Sequence, residues 1–233
     1  AGLVIPQVAM LGRSADMAVT AKSGQDIGTN IQLHFVQLKR YPQYMDSLVT
    51  TAAAPSVYNP SNDYAGTPAT SEADQLTGLP INGPSLYKDL QVGVLPNDAS
   101  GDWFKSFSRG GFDFVMDHDI SVKNSNNSAT TSRALAAGMS IAEVKSGSGI
   151  AKVLYPITAG VPPVNVRLVA LGFGPSNSAI GKTVLSAPIY PGCDGKYYGR
   201  YVAVFKVYAN GERPTLAVTC DSYGRYQDFS IYD

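Results

Sequence analysis

The chain has 233 residues, with 18 Lys+Arg against 18 Asp+Glu, 15% charged residues and 44% hydrophobic ones. That balance excludes a disordered chain, and the scattered basic residues, adjacent only at Lys39-Arg40, form no stripe that could displace counterions from a nucleic acid. No apolar run approaches the roughly 18–20 residues of a spanning helix, so neither nucleic acid nor a membrane span is expected.

Residues 1–15, beginning "AGLVIPQVAML", read as an extended segment ahead of a single domain that takes up 1–233, since neither an internal repeat nor a break in composition divides the chain. "IQLHF" alternates and predicts a short strand, and "YMDSLVTTAAA" predicts a short helix. Residues 54–85 carry Pro55, Pro60, Pro68, Pro80 and Pro84 with no periodicity. They read as a long loop or arm, of a length that usually binds or covers something. "LQVGVL" predicts the next strand.

In "GFDFVMDHDISVK", Phe112, Phe114, Met116, His118, Ile120 and Val122 share one face, while Asp113, Val115, Asp117, Asp119 and Ser121 share the other. This half-buried strand places Asp117 and Asp119 together over a core histidine. A solvated acidic face explains the pattern, and a calcium site explains it too, with Asn124 or Asn126 adding oxygen ligands. The sequon Asn126-Asn127-Ser128 marks an exposed turn.

"TTSRALAAGMSIAEVKSG" predicts the main helix, capped by Ser132, with Leu135, Met139 and Ala142 on one face and Gly147 as its stop. "PVNVRLVAL" predicts a strand with Val164, Val166, Leu168 and Ala170 on one side. The following Gly181-Lys182-Thr183 imitates a phosphate-binding loop, but Ser176 stands where that loop needs its first glycine, and Pro188 and Pro191 follow closely. We therefore read "GFGPSNSAIG" as a turn and "KTVLSAP" as the start of another strand, with no cofactor expected.

"RYVAVFKVYANGERPTLAVTC" predicts a hairpin about a type I′ turn at Asn210-Gly211, with Pro214 at a strand start or edge. "RYQDFSIY" supplies the last strand. A disulfide between Cys193 and Cys220 is expected if the chain matures in an oxidising compartment.

Eight of the 14 tyrosines lie from Tyr190 onward. Strand propensity accounts for some of them, and Tyr58, Tyr64, Tyr197 and Tyr198 are candidates for ligand or partner contact. Only His34 and His118 are available for a Ser-His-Asp relay, both on expected strands, so no enzymatic activity is expected.

These elements predict an all-β protein, an antiparallel, jelly-roll-like β-sandwich with one or two short helices and a long Pro/Gly-rich loop. By elimination, the expected function is a structural subunit of an ordered assembly, contacting copies of itself or other assembly proteins in a virion or outside the cell. A capsid or virion-surface protein fits best, otherwise an extracellular coat or filament subunit. A carbohydrate- or receptor-binding module that takes a glycan is the alternative, and a small secreted hydrolase a remoter one.

Overall fold

Two adjacent strands near the C-terminal end of this chain each carry a single charged residue, Arg167 or Lys206, among otherwise apolar or small ones, and a strand of that kind has little face to give to water. In the computed structural model, which describes residues 22–50, 89–118, 129–189, 198–221 and 230–232, those strands are β8 (Val166–Gly172) and β9 (Val202–Tyr208). Val169, Leu171, Ala203, Phe205 and Val207 enter one apolar cluster. Their alternate neighbours Leu168, Ala170, Val202 and Val204 enter a second. The sheet is therefore covered on both sides here, where alternation alone predicts one solvated face.

The cover on the first side is helical. Helix α1 spans residues 22–38 and buries Ile27, Ile31 and His34, a helical spacing. The expected strand "IQLHF" lies inside this helix; Leu33, which alternation would bury, is exposed. Helix α2, Trp103–Arg109, adds Trp103 and Phe107, and the Phe107 ring stacks on Phe112 with centroids 4.4 Å apart. Phe112 in turn meets Phe205 edge-on at 5.1 Å. On the opposite side, α3 (Gly149–Leu154) contributes Ile150, Ala151 and Leu154, and the Ser148 hydroxyl caps it by accepting from the Ala151 N–H.

The remaining strands are β1 (Met45–Thr50), β2 (Leu90–Val94), β3 (Asn97–Asp98), β4 (Gly101–Asp102), β5 (Phe114–His118), β6 (Thr131–Ala134), β7 (Ser140–Val144), β10 (Thr215–Cys220) and β11 (Ser230–Ile231). The described part of the chain is mostly β, as the sequence predicts. Nine strands join one sheet in the order β11-β10-β9-β8-β1-β5-β6, and β7 also pairs with β8, bringing β2 with it. Strand β8 thus branches the sheet: Val169 pairs with Glu143 of β7, and Gly172 at its end pairs with Asp46 of β1. The sheet is mixed rather than wholly antiparallel, because β1 and β5, far apart in sequence, run parallel.

Several local expectations change. Residues 131–134 and 140–144 are strands, not one helix, because Gly138 in the middle of the expected helix sits at φ +81°, outside helical backbone. "YMDSLVTTAAA" contributes strand β1 in place of a helix, with Tyr44 and Leu48 at φ +57° and +59°. "KTVLSAP" does not begin a strand; it closes a turn in which the Lys182, Thr183 and Val184 N–H groups all donate to the Ala179 carbonyl. Those donors are consumed by the chain itself, which is opposite to what a phosphate cradle requires.

The β9–β10 hairpin forms, with Thr215 opposite Lys206 and Pro214 just before the returning strand. Its turn is not type I′. The Gly211 N–H donates to the Tyr208 carbonyl at 3.1 Å, and only Gly211, after the turn, has positive φ.

Segments 1–15 and 54–85 lie outside the described residues, as do Asp119, Tyr58, Tyr64, Cys193 and Tyr197. Cys220 ends β10, fully buried.

Because Phe107 ties α2 to the aromatic cluster under β9, Phe107→Ala should lower the unfolding free energy by roughly 3–5 kcal/mol in urea denaturation. A loss below about 1 kcal/mol would show that α2 is not part of the core.

Candidate functional site

Polar side chains collect where the branch β1-β5-β6 meets the end of β8. Asp46 is fully buried there, pairing through its backbone with Met116 of β5 and Gly172 of β8. The Tyr198 hydroxyl donates to Asp46 Oδ2 at 2.6 Å, while Oδ1 has no hydrogen-bond partner among the described residues. Gly172 and Gly174 make the space: a Cβ on the first would overlap the Tyr198 hydroxyl, and one on the second the Asp46 carboxylate. The glycines of "LGFG" are therefore a cradle for a buried carboxyl.

Burial pushes the Asp46 carboxyl up to about 7, against the Tyr198 hydroxyl, the Ala129 N–H and the Arg200 charge, which all favour ionisation. His118 lies on the neighbouring strand with its ring centroid 5.6 Å from that of Tyr198. Burial alone pushes this imidazole down to about 3, so it is neutral in the folded protein.

One position further along β1, the Ser47 hydroxyl donates to Asp117 Oδ1 at 2.5 Å. Arg133 of β6 grips the same carboxylate with two bonds, Nε to Oδ2 at 2.5 Å and Nη2 to Oδ1 at 2.9 Å. Its Nη2 also donates to the Ser140 carbonyl at 2.9 Å, so the guanidinium ties β5, β6 and β7 together.

This geometry revises the sequence-based candidates. Asp117 is buried rather than part of a solvated acidic face, and its two oxygens are bonded by Ser47 and Arg133. Among the described residues no three His, Cys, Asp or Glu side chains are grouped to hold a metal ion. Tyr198 is a core residue bonded to Asp46, not a surface tyrosine awaiting a ligand.

His34 lies on α1 rather than a strand, its Nδ1 2.9 Å from the Arg40 carbonyl oxygen, and burial lowers its pKa. The Ser47 hydroxyl bonds the Asp117 carboxylate directly, and the His118 imidazole packs on the Tyr198 ring.

Asp46, Ser47, Arg133, Gly172 and Gly174 were not singled out by spacing. One signal was present: an acid and a serine inside the apolar run "YMDSLV".

Neither a protein-family model, nor a curated protein, nor a solved structure matches this chain. Among the described residues no helix is long and apolar enough to cross a membrane.

Removing one partner of a buried pair strands the other charge. Arg133→Met should therefore cost about 3–5 kcal/mol of stability, and the double variant Arg133→Met/Asp117→Leu should recover most of it. Equal losses in single and double variants, measured by denaturant titration, would show that the pair is not what matters.

Proposed function

We propose that this protein is a structural subunit of an ordered assembly, of the capsid or virion-surface class or otherwise of an extracellular coat or filament. The observation that carries the reading is a stiff, uncharged apolar projection. The connection from α3 to β8, residues 155–165, contains Pro156, Pro162 and Pro163 and no charged side chain. It holds Ile157 at 99% exposure and Val164 at 100%, with Val161 half exposed between them.

The loop is braced internally. The Gly160 N–H donates to the Tyr155 carbonyl at 2.8 Å, Thr158 Oγ1 donates to the Val161 carbonyl at 2.7 Å, and the Gly147 N–H donates to the Gly160 carbonyl at 2.9 Å. Leu185, 96% exposed, adds a further apolar side chain on another loop. Aliphatic side chains fixed in water gain roughly 1.5–3 kcal/mol each when a neighbour covers them, without the ordering cost a flexible loop would carry. A charge-poor chain with zero formal net charge suits a surface that neighbours cover.

The jelly-roll-like sandwich remains our finer reading of the fold, in keeping with the large branched sheet and with the recurrence of that architecture in capsid proteins. The glycan-binding alternative is weakened, because Tyr198, one of its four tyrosines, is buried.

Electron microscopy and sedimentation of the native protein should reveal closed shells, rings or filaments. The variant Ile157→Asp/Val164→Asp should sediment as a monomer with unchanged thermal melting. A native chain that stays monomeric at high concentration, or a variant that assembles normally, would overturn the proposal.

A further inference from the structure

The branch β1-β5-β6 is attached to the rest of the sheet by very little backbone. Among the described residues strand β5 pairs only with β1 and β6, and the ladder between β1 and β8 is the single pair Asp46–Gly172. The backbone is also strained here: Leu48 within β1 and Tyr44 just before it hold left-handed backbone without being glycine, at a cost on the order of 1 kcal/mol or more each. The pairing of β1 with β5 slips between Asp46 and Thr50. These are the features of a hinge.

The hinge buries two groups that titrate in opposite senses, one on each side of Tyr198. Its hydroxyl holds the Asp46 carboxyl and its ring lies against His118. The charge that acts on Asp46 is Arg200, from the segment that carries Tyr198, and on the neighbouring strands Asp117 of β5 and Arg133 of β6 pair with each other. Gly172 at the end of β8 and Gly174 beyond it leave the space that Tyr198 and Asp46 fill.

We propose that Asp46 and His118 are a compensated proton pair: when the branch lifts from β8, Asp46 releases a proton to water and His118 takes one from water, so opening involves no net proton exchange. The signs follow from linkage. Between 3.8 and about 7, Asp46 is protonated when closed and ionised when open, so alone it makes opening easier as pH rises. Between about 3 and 6.5, His118 is neutral when closed and charged when open, so alone it makes opening easier as pH falls. The two dependences cancel where the windows overlap, from 3.8 to 6.5. The junction keeps a constant hold across the acid range, and losing either member turns it into a pH switch.

Hydrogen exchange of the full chain, corrected for the intrinsic pH dependence of exchange, reads this directly in the amides of β1 and β5, with β9 and β10 as the internal reference. Asp89, Glu143 and His34 are also shifted by burial but lie outside the branch, so the difference between native and variant profiles isolates the pair. In the native chain the opening constant should stay within about threefold across the overlap window. In Asp46→Asn it should rise about tenfold per unit as pH falls through the window, and in His118→Gln about tenfold per unit as pH rises.

A flat profile in either variant, or a steep one in the native chain, overturns the proposal. Should a variant fail to fold, Tyr198→Phe gives a second reading, because it removes a bond that favours ionised Asp46. The infrared band of the protonated carboxyl should then persist to higher pH than in the native chain, and a band with an unmoved midpoint overturns the proposal.

Discussion

Burial of β8 and β9 on both faces is the constraint from which the rest of the architecture follows. A doubly buried strand pair needs apolar cover above and below, and α1 and α2 supply it on one side while α3 supplies it on the other. It also needs every backbone donor and acceptor paired. Strand β8 meets this by running along β9 for its whole length and dividing its other edge between β7 and β1.

Where the sheet branches, polar side chains enter the interior and must be neutralised. Two solutions lie side by side. Asp117 is matched by the two-pronged grip of Arg133 and by the Ser47 hydroxyl. Asp46 and His118 instead give up charge, one by holding a proton and the other by losing it. The first solution is rigid and directional, joining three strands. The second avoids burying an ion, at the cost of coupling the junction to protons.

Much of the β content was legible in the sequence, and so were β2, the core of β8 and the β9–β10 hairpin, because β-branched and other apolar residues crowd them and turn residues flank the hairpin. The errors have physical causes. Residues 131–144 place apolar side chains three and four apart by coincidence, and the positive φ at Gly138 that rules out a helix has no marker beyond the glycine itself. "IQLHF" alternates in sequence but lies in a helix that buries Ile31 and His34, packs Phe35 against the core and leaves Leu33 exposed. In the "DHD" stretch the surroundings of Asp117 depend on Ser47 and Arg133, 70 and 16 residues away. No spacing rule links such positions.

Among the described residues one set of apolar side chains closes the sheet, and another, Ile157, Val161 and Val164 on the proline-braced loop, faces outward on a fixed support, where we propose that neighbours cover it. Both depend on β8, since that loop leads directly into it and the branch hangs from its end. Native-state hydrogen exchange at increasing denaturant tests this dependence most directly. The account predicts that β8 and β9 amides exchange only through global unfolding, with the full denaturant dependence of the equilibrium transition. Exchange of β8 or β9 through a smaller opening, while other strands stay protected, would contradict it.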